Sequence, residues 1–484
     1  MTPSRHQVLQ IEPGTFHDHM HWYPKALNAT IHPLVSLFMS LGNQVIADRY
    51  SQMHPRVKAS RLKDMLQYQP KYYRWAGADL IHVTTEKGKR QMILIENNSC
   101  PSGQKSIPHL PGMPAHGGYQ TLLEKSFMPF CQWNPKGRYD VLAVLFDKNL
   151  METSGYAATL ADLIQKPVYL VPFFDEEANE HIRLRKGYLQ INTGKSGWKS
   201  VYAAFRYVTQ KPWNRIPVKT KTMVYNPLIA CLAGGRNKLI ASKAYDAYNQ
   251  DIARYGLKIS TPETIHDVSL EEIPSWIKHF GGQAVIKEPY SNAGQGVYTI
   301  LNDAELHSFM SRSFSYSRFI VQSMIGHYAW NDGRGANRYF HLGTMPDERG
   351  SSYVFDLRMM ICSTPQGFRP LSVYSRKARS PLSALLKPQD ISWDMLGTNL
   401  SQRTDDGEWT TDTRRLVLMS HPEFDTLCLG LDDLIEAYVQ SVLSTIAIDR
   451  MAIWLINSKG ELRMKLFAAL NDDKLLHKEI LQPS

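Results

Sequence analysis

Residues 284–300, AVIKEPYSNAGQGVYTI, decide the fold of this chain. An apolar, β-branched run ends at Lys287, a loop of glycines and small polar residues follows, and residues 297–300 read as a second strand. A lysine at a strand end is a fixed positive charge for phosphate oxygens, and glycines let backbone N–H groups approach the same oxygens. The pattern predicts a hairpin flap over phosphates, formed by Lys287, Glu288, Ser291, Asn292, Gly294 and Gly296.

Two other kinds of phosphate-binding loop are excluded. No Gly-Lys-Ser/Thr closes the segment, so it is not a Walker A motif. The chain continues after Gly296 as a strand, whereas a dinucleotide fingerprint opens a helix. Taken alone, the segment also fits an ordinary glycine-rich hairpin beside a lysine, and its neighbours in the sequence are needed to decide.

Length and composition predict a soluble protein of two or three domains. The chain has 484 residues, of which 43% are hydrophobic, and no apolar run reaches the roughly 18 residues that span a bilayer. The first residues, MTPSRHQVLQIEPG, lack the apolar core of a signal peptide. Five cysteines lie far apart without a CxxC pair, which argues against a zinc cluster or a disulfide framework. We therefore expect a cytoplasmic protein with no membrane partner.

The net charge of +10 is spread along the whole chain. Such an excess suits phosphate or carboxylate ligands, and it also fits a solvated basic surface. No cluster of interleaved aromatic and basic residues indicates nucleic-acid binding, so we do not expect nucleic acid as a partner.

Hydrophobic periodicity divides the chain into helices and strands. Residues 141–210 alternate strand and helix, which predicts an open, mainly parallel sheet. Helices are predicted within 33–67, 226–249 and 431–444. Further strands are predicted at 78–83, 91–96, 318–324, 353–362 and 368–376, with a closing strand pair within 448–468.

Three oxygen-bearing side chains lie on or next to the strands predicted at 78–83 and 91–96. Glu96 and Asn98 are two residues apart, so their side chains leave the same face of a strand, and Asp79 can face them across a hairpin. Carboxylate and amide oxygens suit Mg²⁺, which proteins hold through one or two carboxylates together with substrate phosphates. The alternative is a hairpin that simply ends in a polar turn, ENNSCPSG.

Together these residues resemble the ATP-grasp superfamily, in which two α+β lobes grip a nucleotide. The strand ending at Lys287 is similar to the family's flap strand, and Lys238 is similar to its earlier phosphate-contacting lysine. Asp79, Glu96 and Asn98 match the family's magnesium pattern. The family's hinge strand, which meets the adenine, looks like residues 319–325 and implies contacts from Gln322, Ser323 and Met324, although many members have a ribose-binding glutamate in place of Ser323.

The resemblance also implies catalytic arginines. Arg358 ends a Phe-Asp-x-Arg strand, whose arginine faces the transferred phosphate in some members, and Arg376 and Arg379 follow downstream. One position departs from the family, because Gly77 stands where an arginine usually precedes the metal aspartate. Either Arg74 or the three later arginines would then neutralise charge at the reaction centre.

The order of these parts is unusual, because the metal-binding strands precede the lysine flap. That order resembles the circularly permuted, glutathione synthetase-like peptide ligases. At the family's usual late position, Asp449 is followed by Lys465 and Phe467 where Glu and Asn would stand, so that pair cannot supply the usual ligands. The expected fold is α+β or α/β, a permuted ATP-grasp fold. Its expected units are 1–135 with N-terminal helices and metal strands, 136–240 with a mainly parallel sheet, 241–330 with flap and hinge, and 331–484 with the C-terminal core.

The activity implied by the resemblance is that of an ADP-forming carboxylate-amine ligase with ATP and Mg²⁺ as cofactors. A carboxylate, from an amino acid or peptide, would become an acylphosphate, and an amine, from an amino acid, peptide or polyamine, would then form the amide. A small-molecule kinase and an inactive nucleotide-binding protein stay open as alternatives. An adenylating ligase is disfavoured, because Lys287 is followed by Glu-Pro-Tyr and not by x-Asp-Gly. Related enzymes are often dimers, which implies a homodimer.

Two other groups of residues are interpreted as structural. His17, Asp18, His19 and His21 could bind a transition metal, but a histidine-rich patch near a terminus is more often an exposed loop. Cys100 lies beside the predicted metal site, and we interpret it as a small buried thiol because no histidine is placed beside it.

Overall fold

The computed structural model describes residues 7–132, 141–174, 178–194, 197–290, 294–330, 339–386, 391–403 and 409–481. The strands within these ranges are β1 (Leu9–Ile11), β2 (Trp75–Thr85), β3 (Arg90–Ser99), β4 (Val141–Phe146), β5 (Val168–Pro172), β6 (Ile182–Arg185), β7 (Tyr188–Asn192), β8 (Trp198–Tyr207), β9 (Met223–Tyr225), β10 (Thr264–Val268), β11 (Ala284–Lys287), β12 (Val297–Ile300), β13 (Phe319–Ser323), β14 (Ile325–Gly326), β15 (Tyr339–His341), β16 (Phe355–Thr364), β17 (Gly367–Lys377), β18 (Ser401–Arg403), β19 (Trp409–Thr411) and β20 (Leu416–Val417).

The α-helices are α1 (Asp18–His21), α2 (Pro24–Leu27), α3 (Pro33–Ser40), α4 (Asn43–Met53), α5 (Ala59–Leu66), α6 (Gly117–Leu122), α7 (Met128–Cys131), α8 (Leu150–Ile164), α9 (Ala178–His181), α10 (Leu228–Ala230), α11 (Lys238–Ile252), α12 (Ile273–His279), α13 (Asp303–Met310), α14 (Ser392–Leu396), α15 (Leu431–Leu455), α16 (Met464–Leu470) and α17 (Lys474–Leu481). None of the helices in the described ranges is long and apolar enough to cross a bilayer.

The segment that alternates strand and helix forms an open sheet with the order β1-β5-β4-β8-β7-β6, and β9 pairs with β8. Its centre is parallel, because β4 pairs in parallel with β5 and β8, and β8 with β9. This confirms the predicted open sheet, to which β1, β6 and β7 add antiparallel pairs. Strand β1 precedes residue 135 in sequence yet joins this sheet, so the expected boundary at 135 does not separate the two units in space.

The predicted flap hairpin belongs to a four-stranded antiparallel sheet with the order β10-β13-β11-β12. One face carries Ala284, Ile286 and Val321 into an apolar core with α12 and α13. The other face carries Lys287 and Gln322 into a cleft. The period-two alternation of the strands therefore separates an apolar core from a polar lining.

The third sheet has the order β14-β15-β2-β16-β17-β20, and β3 pairs with β2. It joins strands from both halves of the chain, because β2 pairs antiparallel with β3 and also with β16. The predicted metal-binding strands β2 and β3 thus lie in one sheet with β16 and β17. Helix α15 packs against this sheet and shares a core with α3, α4, α5 and α11.

The strand pair predicted within 448–468 is wrong. Helix α15 continues to Leu455, α16 begins at Met464, and Ile456 and Leu462 form only an isolated bridge. The physical reason is that α15 is buried on almost every side, so its apolar residues do not form the single stripe that reveals a surface helix.

Asp449 consequently lies in a helix, where it anchors the segment that leads into β2. Its Oδ1 accepts hydrogen bonds from the backbone N–H groups of Tyr72 at 2.7 Å and Tyr73 at 2.8 Å. Its Oδ2 accepts from the N–H of Lys71 at 3.0 Å and from the hydroxyl of Tyr68 at 2.8 Å. The carboxylate is fully buried, and these four donors replace its hydration.

Candidate active site between the two sheets

The three predicted metal ligands lie together on the β2–β3 hairpin. Asp79 is directly opposite Glu96, and Asn98 is opposite Gly77. The register shifts just after Asp79, which leaves Ile95 as an extra residue in β3. A β-bulge of this kind redirects the side chains next to it, and here it adjoins the polar cluster.

The alternation of β3 directs Asn97 away from this cluster. The Oδ1 atom of Asn97 accepts a hydrogen bond from the Tyr73 hydroxyl at 2.8 Å. Its Nδ2 donates to the hydroxyl of Ser444 at 2.8 Å and to that of Thr445 at 3.2 Å, both in α15. Asn97 therefore joins the sheet to the helix beneath it, while its two neighbours in sequence face the cleft.

Asn98 links the two carboxylates. Its Nδ2 donates to Oε1 of Glu96 at 3.1 Å and to Oδ2 of Asp79 at 3.4 Å, and its Oδ1 accepts from Arg236 at 3.2 Å. The three side chains therefore meet at one point, and turning the amide directs its oxygen to that point. This set of hard oxygen ligands fits Mg²⁺, which Asp79, Glu96 and Asn98 would hold.

Two arginines neutralise Asp79. Arg358 donates to it from Nε at 2.6 Å and from Nη2 at 2.5 Å, and Nη2 of Arg376 lies 3.0 Å from the same carboxylate. Arg376 also makes a bidentate pair with Asp356. Burial alone would raise the pKa of Asp79, but the two guanidinium charges outweigh burial and hold this pKa below its usual range. Asp79 is therefore ionised at neutral pH.

Arg379 and Arg74 do not reach this cluster. Arg379 lies beyond the end of β17, is about half exposed, and donates to Asp394 at 3.4 Å. The guanidinium of Arg74 stacks over the ring of Phe130 at 5.1 Å. The structure therefore does not place Arg379 in the cluster around Asp79, contrary to the position implied by the resemblance. The chain leaves the sheet after Lys377, which carries Arg379 away from Arg376.

Lys287 approaches the hairpin from the four-stranded sheet. Its Nζ donates to the backbone carbonyl of Ile95, the extra residue of the bulge, at 3.3 Å. The side chain is 4% exposed. Burial lowers the pKa of Lys287 to about 8, and the carboxylate of Glu96 opposes this decrease. A cation buried in this way is stabilised by any anion that enters the cleft.

Lys238 is the first residue of α11, and its Nζ lies 3.9 Å from Oε2 of Glu96. Asn237 caps the helix by accepting from the N–H of Ile240 at 3.2 Å. The backbone N–H of Lys238 donates to the carbonyl of Pro289 at 2.9 Å, which ties the helix start to the flap. Burial lowers the pKa of Lys238, and Glu96 again opposes the decrease. Two lysines and a helix N-terminus thus converge on one place, an arrangement that favours phosphate.

Arg236 is a site residue that the sequence analysis missed. Besides its contact with Asn98, it donates from Nη2 to the carbonyl of Ser99 at 2.6 Å. The preceding Gly235 permits this approach, because a Cβ there would lie 2.6 Å from the Cβ of Ser99. The available signal is the run GGRNK, in which two glycines, an arginine and an asparagine precede Lys238.

The flap hairpin is covered on its outer side by α14. Gly294 has φ of +78°, and a Cβ there would lie 3.1 Å from the ring of Trp393. The hydroxyls of Thr299 and Ser392 form a hydrogen bond of 2.5 Å. The flap is therefore held against a neighbouring element even without a nucleotide.

The other predicted flap residues have different outcomes. Glu288 donates its N–H to the carbonyl of Gly296 at 2.7 Å, and its carboxylate accepts from the hydroxyl of Tyr298 at 2.8 Å. Both contacts lie within the hairpin and shape it. Ser291 and Asn292 lie outside the described residues.

A cleft lies between the two sheets. Lys238, Lys287, Glu96 and Asn98 line it together with the hinge residue Gln322. Gln322 donates from Nε2 to the hydroxyl of Thr264 at 2.8 Å, which orders this part of the wall. The mixture of apolar walls with a few charged groups is typical of a small-molecule site.

The other two hinge residues do not line this cleft. The hydroxyl of Ser323 accepts from the N–H of Glu263 at 3.1 Å, next to the backbone pairing of the same two residues. Met324 follows the end of β13 and is half-buried. Strand alternation explains the difference, because Gln322 and Ser323 leave opposite faces of β13.

A group of potential metal ligands lies elsewhere, at His32, His421 and Asp425. The Nδ1 atom of His32 accepts a hydrogen bond from the N–H of Leu34 at 3.1 Å, so a neutral ring carries its proton on Nε2, which faces Asp425 at 3.2 Å. That nitrogen has no lone pair for a metal in this state. The group is better described as a hydrogen-bonded ion cluster.

Comparisons with known proteins give structural likenesses only. No family model matches the chain, and no curated protein matches it in sequence. Among solved structures, it is similar to a glutathione synthetase-like effector from Globodera pallida, with a TM-score of 0.39 and 9% identity over 71% of this chain and 81% of that chain.

Two further solved structures are similar to the chain. A RimK domain ATP-grasp protein from Sphaerobacter thermophilus has a TM-score of 0.29 and 13% identity over 48% of this chain and 89% of that chain. D-alanyl-alanine synthetase A from Vibrio cholerae has a TM-score of 0.31 and 11% identity over 54% of this chain and 94% of that chain. These likenesses say nothing about a reaction or a substrate. The chain itself has an α+β fold in which the cleft described above lies between a lysine-bearing four-stranded sheet and a carboxylate-bearing hairpin.

Proposed function

We propose that this protein is an ATP-dependent, ADP-forming carboxylate-amine ligase. One observation carries the proposal: two buried lysines, Lys238 and Lys287, face the carboxylate of Glu96 across a single cleft. Lysines bind phosphates, and a carboxylate with an adjacent amide binds the cation that accompanies a nucleoside triphosphate.

The roles of the residues follow from where their side chains lie. Lys238, at the start of α11, and Lys287, beneath the flap, would hold phosphate oxygens of ATP. Arg358 and Arg376 would stabilise the charge that develops when the terminal phosphoryl group is transferred. A Mg²⁺ ion held by Asp79, Glu96 and Asn98 would neutralise the phosphates and orient them.

The proposed reaction has two balanced steps. A substrate carboxylate oxygen attacks the γ-phosphorus of ATP, the bond to the β-phosphate oxygen breaks, and ADP leaves with those electrons. An amine nitrogen then attacks the acyl carbon, inorganic phosphate leaves, and the nitrogen loses a proton. Neither step needs a covalent bond to the protein, so positioning and electrostatic stabilisation supply the catalysis.

A nucleotide-binding protein without turnover is the second candidate. The bidentate contact from Arg358 occupies both oxygens of Asp79, so Mg²⁺ has to compete with an arginine for this ligand. If the arginine keeps the carboxylate, ATP binds but is not cleaved.

The test is to incubate the protein with ATP, Mg²⁺ and pooled amino acids, small peptides and polyamines, and to analyse the mixture by mass spectrometry. The ligase predicts ADP together with a product lighter by one water than its two substrates. In the same assay Glu96→Gln should lose ADP formation, and its matched control, Glu180→Gln at an exposed glutamate in α9, should behave like the wild type. ATP binding without ADP in every mixture would support the second candidate instead.

A further inference from the structure

Lys148 is a half-buried cation that the proposed chemistry does not use. It follows the end of β4 and precedes the start of α8, at the carboxyl end of the parallel strands. The crevice outside this end is where open α/β sheets bind ligands. The residue before it, Asp147, accepts hydrogen bonds from the backbone N–H groups of Thr209 and Gln210, each at 2.7 Å. These two bonds hold the Asp147 carboxylate against the segment that follows β8.

The loop that carries Lys148 is fixed against the segment that follows the metal strand β3. The carboxylate of Glu152 accepts from the Ser102 hydroxyl at 2.7 Å and from the N–H groups of Gly103 and Gln104, each at 3.0 Å. Asn149 donates from Nδ2 to the Ser102 hydroxyl, also at 3.0 Å. These contacts hold the start of α8, and with it the loop of Lys148, against the segment that follows β3. Tyr374 joins that segment to the Asp79 cluster, because its hydroxyl donates to the carbonyl of Ser102 at 3.0 Å and accepts from Nη1 of Arg358 at 3.5 Å.

The surroundings of the Lys148 amine are positive. Burial, together with the charges of Arg236 and Arg358, lowers the pKa of Lys148 to about 7, and the charge of Asp147 opposes this decrease. Within the described part of the chain, the amine makes neither a hydrogen bond nor an ion pair. Arg358, in contrast, is paired with Asp79, and Arg236 donates to Asn98 and to backbone carbonyls.

An anion would balance the charge of this corner. The charges of Lys148, Arg236 and Arg358 act on one another at the edge of the Asp79 cluster, and an anion bound by the half-buried Lys148 amine reduces that repulsion. The two lysines of the cleft, Lys238 and Lys287, already account for phosphate binding. A second anionic group, supplied by the other substrate, fits the remaining place.

We propose that Lys148, assisted by Arg236, binds the carboxylate of the acid substrate and positions it beside Asp79. The inference rests on the proposed ligase function, because it assigns the acid substrate to the crevice between the parallel sheet and the metal-binding hairpin. The substrate class is a carboxylic acid that is otherwise uncharged or anionic, because the three cations repel a nearby ammonium group.

The test uses hydroxylamine in place of the amine substrate. An acylphosphate reacts with hydroxylamine to give a hydroxamate and phosphate, so a panel of mono- and dicarboxylic acids, N-acetyl amino acids and peptides can be screened with ATP and Mg²⁺. For the acid that reacts, Lys148→Met should raise the concentration for half-maximal rate at least tenfold and leave the KM for ATP within twofold. Lys148→Arg, which keeps the charge, should recover part of the loss.

Lys278→Met, an exposed lysine in α12, is the matched control and should behave like the wild type. An unchanged acid dependence in Lys148→Met would overturn the inference. An equal loss of affinity for ATP and for the acid would also overturn it, because Lys148 would then be one more phosphate ligand.

A second measurement separates this inference from the ligase proposal. If the wild type forms no hydroxamate with any acid, the ligase function fails, and binding of glutarate is then measured by the shift of the thermal unfolding midpoint in the presence of ADP and Mg²⁺. A stabilisation of the wild type that Lys148→Met loses supports an anion site at Lys148. Equal shifts in the two proteins, including no shift in either, reject it.

Discussion

Asp79 and Asp449 are two buried aspartates with opposite tasks. Asp79 is 4% exposed and meets side chains, the guanidinium groups of Arg358 and Arg376. Asp449 is fully buried and meets mainly backbone N–H groups from the 71–73 segment. Side chains can move away when a ligand arrives, whereas backbone donors cannot leave without unfolding the segment. On the proposed function Asp79 is the reactive position, and its side-chain partners distinguish it from the structural Asp449.

The largest effect should come from removing the structural aspartate. Asp449→Ala leaves three backbone donors and the Tyr68 hydroxyl without their acceptor, and each buried orphan costs about 1–3 kcal/mol. We expect the free energy of unfolding in urea to fall by about 4 kcal/mol or more. Asp64→Ala, which removes an exposed ion pair with Arg61, is the control and should cost under about 1 kcal/mol. A similar loss of unfolding free energy in Asp449→Ala and Asp64→Ala would contradict the structural role of Asp449.

Removing the charge of Glu96 should lower the rate of turnover and leave the stability of the fold unchanged. Glu96→Gln keeps the shape of a half-buried side chain and removes the charge beside Lys238. ADP formation should fall about 10²- to 10³-fold, the range for losing one preorganised electrostatic group. The urea midpoint should stay close to that of the wild type. Full activity in Glu96→Gln would rule out the metal assignment.

Lys287 offers a test in which stability and binding move in opposite directions. The folded pKa of about 8 lies below the ordinary value of 10.5, so the unfolded chain binds more protons between these values. Stability therefore rises as pH increases from about 8 to 10.5, and below pH 8 the full cost of burying the charge is present. Lys287→Met removes that cost and should stabilise the free protein by about 1–3 kcal/mol at pH 7. Its affinity for ATP should fall about tenfold or more.

The smallest expected effect is the uptake of a fraction of a proton by Lys287 when ATP binds. At pH 9 most molecules of the free protein carry a neutral Lys287, and phosphate oxygens favour the charged form. ATP binding should thus take up about half a proton or more at pH 9, and affinity should decrease as pH rises from 8 to 10. Calorimetry in buffers of different ionisation enthalpy measures the uptake. Lys287→Met should abolish it, and an identical uptake in that variant would assign the proton to another group.

The sequence was most informative where chemistry and local periodicity coincide. The alternation around Glu96 and Asn98 predicts their shared face, and the apolar runs around the glycine loop predict the flap hairpin. The pairing of Arg358 with Asp79 was not predictable, because it depends on the long-range pairing of β2 with β16. Lys148 escaped attention for the same reason, since only the packing of the parallel sheet onto the hairpin brings it near Arg236.

Errors arose where burial conceals periodicity. Helix α15 is apolar on nearly every side, so its second half read as a strand. The resemblance implies that Arg376 and Arg379 act together, but the strand ends between them. A strand boundary of this kind depends on which partner strand is present, and local sequence carries little information about that.

The hydrogen bond from Lys287 to the carbonyl of Ile95 joins two sheets, because the lysine belongs to β11 and the carbonyl to β3. A phosphate group that binds this amine withdraws it from the carbonyl, so phosphate binding and the loss of a contact between the sheets become a single event. On the proposed function, phosphate release therefore returns this amine to the bulge, and a single group serves both the contact between the sheets and the hold on the nucleotide.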